Sequence, residues 1–205
     1  MKWVVATHNR DKLKEIQDIF ADFGVQLVDL DAFPHIDPVE ESGTSLRDNA
    51  LLKARAVHAE TGLPTVADDT GLEVDALDGA PGIYSARFAG TGASYRDNVE
   101  KLLASLQNVH RDRRTARFRT CAVYVDGARE AAAEGVIEGS ITQDPRGENG
   151  FGYDPVFIVE GTEQTFGQMT AEQKKQISHR AKAFQALHHQ LARSLSNNVI
   201  KETPA

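Results

Sequence analysis

Two pairs of adjacent carboxylates, Glu40-Glu41 and Asp68-Asp69, are the residues in this sequence best suited to chemistry. Adjacent acids in a loop usually form a solvated surface, and Glu40-Glu41 alone reads that way. Asp68-Asp69 is harder to dismiss, because it follows Thr65-Val66-Ala67 at the expected end of a strand, where α/β folds place their sites. Magnesium takes few protein carboxylates and completes its octahedron with water and phosphate oxygens, so one Glu and one Asp suffice to hold it. A further carboxylate beside the metal-bound phosphate is able to take a proton from an attacking water.

Cationic and polar residues gather in three other places. Thr7-His8-Asn9-Arg10-Asp11-Lys12 lies where a first strand turns into a first helix, a position whose backbone N–H groups and dipole favour an anion. It lacks the glycine spacing and Lys-Ser/Thr pair of a Walker loop. Lys53 is the clearest anomaly: Leu46, Ala50, Lys53 and Val57 form one helical stripe, and the lysine fills a slot that the pattern assigns to an apolar residue. A buried lysine is costly unless it meets an anion, although a lysine at the stripe's edge can snorkel to water. Gly147 to Pro155 packs three glycines around Phe151 and Tyr153, a composition that suits either a base-stacking loop or a tight turn. Lys174 and Ser178-His179-Arg180 sit at the start of the last helix. Arginine is disfavoured there on dipole grounds, which points to an anion or polar ligand nearby.

The elements that must position these groups follow from periodicity. Lys2 to Thr7 reads as a short buried strand, and Leu13, Ile16, Phe20 and Phe23 recur at helical spacing until Gly24. Val25 to Val28 begins a second strand. Ser45 with Asp48 resembles a capping box that opens a helix running to about Gly62. Leu63 to Ala67 is a strand ending in Asp68-Asp69, Leu72 to Leu77 a separate extended piece, and Ser94 to Leu106 an amphipathic helix. A long strand from Ala116 turns at Asp126-Gly127, a strong hairpin signal, into a partner from about Glu130 to Ile141. Thr170 with Gln173 starts a short helix. The last helix begins near Ser178, presents Phe184, Leu187, Leu191 and Leu195 on one face, and gives way to a flexible tail over 197–205. The fold class is therefore α/β, a mixed sheet with flanking helices forming one two-lobed domain over 1–196.

Composition sets the outer limits. The chain has 205 residues, 40% hydrophobic and 26% charged, enough for one well-filled core. Its 23 basic and 30 acidic residues leave a net charge of −7, which repels nucleic acid. Arginines 111, 113, 114, 117 and 119 read as a solvated hairpin edge. Cys121 is the single cysteine and reads as a core strand residue; it rules out an intrachain disulfide or a cysteine-based zinc site. No apolar run approaches membrane-spanning length and no secretory leader is visible, so the expected location is cytoplasmic.

The order of these blocks resembles one family, the inosine/xanthosine triphosphate pyrophosphatases. The resemblance spans nearly the whole chain. It rests on Thr7-His8-Asn9 with Lys12, Glu40-Glu41 with Asn49-Ala50 and Lys53-Ala54, Ala67 to Leu72, Gly79 to Arg87, Gly150 to Pro155, and Ser178-His179-Arg180. Two positions depart: His8 stands where glycine is frequent, and Thr70 where serine is frequent. The resemblance implies an elongated fold with its site in a cleft between two lobes, and a homodimer. It implies hydrolysis of nonstandard purine nucleoside triphosphates (ITP, dITP, XTP) to the monophosphate and pyrophosphate, keeping them out of DNA and RNA. It further implies that Thr7 to Lys12 and Lys53 grip the triphosphate, that Glu40 and Asp69 hold Mg²⁺, and that Asp69 accepts the proton of water. Thr70 would contact substrate, Phe151, Gly152, Tyr153 and Asp154 would form the base pocket, and Lys174, His179 and Arg180 would complete it. The competing readings are a pyrophosphatase for another modified nucleotide and a non-catalytic purine nucleotide sensor.

Overall fold

The computed structural model describes residues 2–21 and 23–201, with side chains described through Arg193. Strand β1 (Lys2–Val5) leads into helix α1 (Arg10–Phe20), and β2 (Gln26–Val28) returns parallel to β1. Helix α2 (Leu46–Thr61) follows, then the long strand β3 (Thr65–Val74) and the short β4 (Pro81–Gly82). Next come α3 (Tyr95–Ser105), the hairpin of β5 (Thr115–Val125) and β6 (Glu130–Ile141), and β7 (Phe157–Val159). Helices α4 (Ala171–Ile177) and α5 (His179–Lys201) close the described chain.

The strands form one seven-stranded mixed sheet in the order β2-β1-β3-β5-β6-β7, with β4 paired to β3. β1 runs parallel to β2 and β3, and every later pairing is antiparallel. This is the mixed α/β architecture that the interleaved early elements and late hairpin imply. Around Val66 the sheet is covered on one face by α1 and α5, through Ile16, Phe20, Phe184 and Leu187, and on the other by α2, through Ala50, Ala54 and Val57. A third core, built on Leu72, Val74, Leu102, Phe118 and Phe157, fills the far half of β3 and β5. The cleft lies where these cores meet.

Several local expectations hold for the stated reasons. Gly62 ends α2 in the left-handed region at φ 64°, and Gly127 turns the hairpin at φ 80°. Thr170 and Gln173 form a reciprocal capping box on α4, whereas Ser45 caps Asp48 N–H without the return bond, since Asp48 accepts from Thr44 instead. Cys121 is buried in β5, and burial pushes its thiol up to about 11, consistent with an inert packing residue.

Other expectations are corrected. β1 stops at Val5 rather than Thr7. β3 does not end at Asp68-Asp69; it runs unbroken to Val74, because β5 pairs with all ten of its residues, and Asp75–Leu77 is a 3₁₀ turn. Arg114 is not a solvated edge residue: it is buried and donates to the carbonyls of Leu106, Val109 and Thr142. Arg117 and Arg119 are held in a cross-strand ladder by Glu73, Asp75, Glu134 and Glu138. The backbone of α5 continues to Lys201, while the Leu195 side chain and residues 202–205 lie outside the described residues. No helix among the described residues is long and apolar enough to cross a membrane.

Candidate active site

Continuity of β3 decides what the two central carboxylates do. Side chains alternate along a strand, so neighbours point to opposite faces. Asp68 shares its face with Val66, beneath α1 and α5, and Asp69 shares its face with Ala67, beneath α2. Both are buried, and each meets a different set of partners.

On the α2 face, Asn49 Nδ2 donates to Asp69 Oδ2 at 3.2 Å. Lys53 Nζ lies 3.4 Å from Asp69 Oδ1 and 2.8 Å from Glu41 Oε1, and Arg87 Nη1 reaches Glu41 Oε2 at 3.3 Å. The lysine that breaks the apolar stripe thus has two carboxylates to meet. Glu40, expected as the second metal carboxylate, is exposed, and Glu41 takes the inward position. Of the two glutamates, it is Glu41 that Lys53 and Arg87 engage. Glu41, Lys53 and Asp69 line a cleft of about 270 Å³ that Thr7, His8 and Lys12 border from the opposite side. Two carboxylates bracketing one positive charge suit a hard cation that fills its remaining positions with water and phosphate oxygens. Among the described residues no three His, Cys, Asp or Glu converge as an all-protein metal cage.

On the other face a relay of charges runs through the buried interior. Lys12 Nζ lies 3.3 Å from Asp68 Oδ2, which also accepts from Arg180 Nε and Nη2, each at 3.1 Å. Arg180 Nη2 also donates to Thr70 Oγ1 at 3.1 Å, and its Nη1 to Glu15. Glu15 in turn binds Lys174 Nζ at 2.6 Å, and Lys174 binds Asp154 Oδ2 at 2.5 Å. Asp154 accepts from Phe151 N–H at 2.8 Å, closing the glycine-rich loop. Gly150 is required in this loop, since its φ is 73° and a Cβ would fall 2.0 Å from Asp154 Oδ2. Gly135 plays the matching part under α5: a Cβ there would lie 2.1 Å from the His179 carbonyl and keep the helix start off β6.

The electrostatics separate the two aspartates. Burial alone raises Asp68, but Lys12 and Arg180 outweigh it and hold the carboxyl far below the usual range, so Asp68 is a fixed anion. Burial raises Asp69 and keeps it above its ordinary value despite Lys53 and Lys12. Asp69 is thus the more readily protonated of the two. Burial lowers Lys12, partly offset by Asp68, whereas for Lys53 the attraction of Asp69 and Glu41 exceeds the burial cost and raises it.

Beside the relay lies an apolar slot of about 90 Å³ between Phe151, Phe118, His179 and Tyr95. His179 stacks on Phe118, with centroids 4.6 Å apart and planes 16° apart. Burial holds its imidazole well below the ordinary value, hence neutral, and its Nδ1 has no hydrogen-bond partner. Gly152, Tyr153 and Asp154 border the slot, and the Tyr153 hydroxyl donates to the Ser85 carbonyl at 2.9 Å. The slot and the cleft share Asn9, Lys12 and Thr70, so they form one elongated site with a charged end and an aromatic end.

The first loop serves this site differently from the simple helix-terminus picture. Asn9 Oδ1 accepts from Asp11 N–H and Lys12 N–H, both at 3.0 Å, so two of the N-terminal donors are already spent on the cap. Positive charge at this end comes from the Lys12 and Lys53 side chains. Arg10 points away and pairs with Asp31 at 2.8 Å on the surface, and Asp11 accepts from the Tyr95 hydroxyl. His8 borders the cleft and is absent from the positive-φ residues, so this loop does not need the glycine frequent there.

A family model described as the Ham1 family matches residues 3–190. The chain belongs to the Ham1 family. Among its Ham1 relatives, a dITP/XTP pyrophosphatase of Photobacterium profundum is 48% identical over 189 residues, 91% of this chain and 95% of that protein. A second, from Thermoanaerobacter pseudethanolicus, is 43% identical over 195 residues, 95% of this chain and 98% of that one. A HAM1 protein structure from Coxiella burnetii superposes with a TM-score of 0.84 at 35% identity, covering 94% of this chain and 99% of the other.

Within this Ham1 chain the structure adds residues that motif reading left without a role. Glu15 is one turn beyond Lys12 on α1, and that spacing was the available signal. Asn49 lies four residues before Lys53 on the buried side of α2, a second polar residue on the anomalous face. Arg87 closes one of the blocks that carry the resemblance but had no role, and Tyr95 carried no signal, because both enter the site from segments whose position depends on the whole fold.

Proposed function

We propose that this chain hydrolyses nonstandard purine nucleoside triphosphates such as dITP, ITP and XTP to the monophosphate and pyrophosphate, with Mg²⁺ bound between Glu41 and Asp69. The observation that carries the reading is the single site with a cationic, carboxylate-bearing cleft at one end and an apolar aromatic slot at the other, joined at Asn9, Lys12 and Thr70. The relatives named dITP/XTP pyrophosphatase support the substrate class.

Lys12 and Lys53 bind the phosphate oxygens and stabilise the charge that accumulates on the leaving pyrophosphate. Bound Mg²⁺ supplies further charge neutralisation and an acidified water. Asp69, whose Oδ2 accepts from the Asn49 amide and whose Oδ1 faces Lys53 Nζ, takes the proton of the attacking water. Arg180, anchored by Asp68 and Glu15, keeps Thr70 and the wall of the slot in place. The aromatic slot orients the base, so that the α-phosphorus meets the water in line.

Product analysis with dITP, ITP, XTP, GTP and ATP in Mg²⁺ tests this reading. Pyrophosphate released from the first three, far ahead of ATP, is expected; orthophosphate as the product, or equal rates with ATP, overturns it. A homodimer and cytoplasmic residence belong to the same proposal, the first resting on the family resemblance. A sedimentation mass of one chain at micromolar concentration would remove the first.

A further inference from the structure

Tyr95 is the first residue of α3, and its side chain is 42% exposed, yet it makes three directed contacts. Its ring approaches Phe151, centroids 5.8 Å apart with planes at 40°. Its hydroxyl accepts from Asn9 Nδ2 at 3.0 Å and donates to Asp11 Oδ2 at 3.1 Å. These contacts join three segments far apart in sequence: the loop that opens α1, the start of α3, and the glycine-rich loop.

Between them the contacts touch both ends of the elongated site. Asn9 caps α1 through Oδ1, so its amide is used fully, with the cap on one side and Tyr95 on the other. Lys12, whose N–H that cap holds, is the cation that carries the loop's charge into the cleft. Tyr95 and Phe151 both line the apolar slot, whose volume of about 90 Å³ is well below the roughly 300 Å³ at which ligand pockets begin. Rings at this spacing are in contact with each other and leave no room for a third between them. A base that stacks on either ring must therefore part the two.

We infer that Tyr95 is a positioning residue for the nucleotide, its ring forming the wall that stacks on the base opposite Phe151 and its hydroxyl ordering the triphosphate loop through Asn9 and Asp11. The two functions reside in separable parts of one side chain. The inference rests on the nucleotide-hydrolase reading above and adds a specific residue to it.

Tyr95→Ala and Tyr95→Phe separate the parts, read by calorimetric binding of IMP, which carries the base, and of inorganic tripolyphosphate, which lacks it, alongside ITP turnover. Loss of the ring in Tyr95→Ala should weaken IMP about tenfold, in line with the removal of one base-stacking partner. Tyr95→Phe should keep IMP within about threefold while weakening tripolyphosphate by a similar or larger factor, because the loop loses its tie. In turnover both losses should fall on KM rather than kcat, since Tyr95 lines the slot and Asp69 the cleft. Wild-type affinities for both probes in Tyr95→Ala overturn the inference, as does an equal loss of both probes in Tyr95→Phe together with a lowered Tm, the mark of a merely structural residue. Wild-type protein that binds both probes but does not cleave ITP would instead sink the hydrolase reading and leave the binding comparison to judge Tyr95.

Discussion

Arg180 and Asp68 are 112 residues apart in sequence and meet through two hydrogen bonds of 3.1 Å in the protein interior, both side chains almost fully buried. Taking two charges out of water is expensive, and the cost is offset only when the remaining donors and acceptors are satisfied. Here Lys12, Thr70 and Glu15 do most of that. The pair ties α5 to β3 and, through Glu15, to α1. It is chiefly architectural, whereas Asp69, one residue further along on the opposite face, is available for chemistry.

The first prediction contrasts these neighbours. Asp68→Asn leaves Lys12 buried without its anion and Arg180 with Glu15 alone, and should cost about 3–5 kcal/mol of stability. Asp69→Asn keeps Lys53 paired with Glu41 and should leave the melt nearly unchanged, while turnover falls by orders of magnitude. Urea melts and initial rates on both variants check this. A stable, active Asp69→Asn protein would show that the proton acceptor has been misassigned.

The second concerns acid stability. Burial raises Glu15, but Arg180 and Lys174 outweigh it and hold its carboxyl below the ordinary 4.5. A carboxyl depressed on folding contributes stability that is complete above its unfolded value and is lost as pH falls through the folded one. Glu15→Gln should therefore be less stable by roughly 1–3 kcal/mol at pH 7 and converge with the wild type in strong acid. Parallel stability curves down to pH 3 would contradict the role given to Glu15.

The third tests the cation position. Lys53 is the charge that Glu41 and Asp69 now share, at 2.8 and 3.4 Å. Lys53→Met removes it and leaves Glu41 with Arg87 and Asp69 with Asn49, so Mg²⁺ added without nucleotide should bind more tightly, while ITP and ATP both bind less well. Calorimetric titration with MgCl₂ reads the first effect. Unchanged or weaker Mg²⁺ binding would remove Glu41 and Asp69 as a metal pair.

How much of this was visible in the sequence depends on how local each signal is. Lys53 announced itself because an apolar helical stripe leaves a charged residue nowhere to hide. The Gly147 to Pro155 loop announced itself through composition, and Gly150 bears that out against Asp154. The path of β3 through Asp68-Asp69 was not legible, since aspartate is a poor strand former and only the ten-residue register with β5 carries the strand across. That single misplaced end hid the opposition of the two side chains, which follows only once the strand is continuous. Which of Glu40 and Glu41 faces the cleft was likewise closed to sequence, because Lys53 and Arg87 reach Glu41 from other segments.

The last prediction addresses base choice. Hypoxanthine and xanthine present an acceptor at C6, and adenine presents a donor. Arg180 is a weak candidate for reading that difference, since Asp68, Thr70 and Glu15 occupy most of its donors. His179 is better placed: it lines the slot, it is held neutral, and its buried Nδ1 has no partner. An orphaned buried polar atom costs free energy unless something satisfies it, and an N–H at that position would be satisfied by a C6 oxygen and opposed by an amino group. His179→Phe keeps a flat ring against Phe118 while removing the nitrogen. It should lower the ITP:ATP ratio of kcat/KM by roughly tenfold or more, as expected when a site loses a hydrogen bond built for one substrate. The loss should appear with ITP while ATP stays level or improves. If ITP and ATP decline together, His179 serves the shape of the slot, and the C6 position is read by another group.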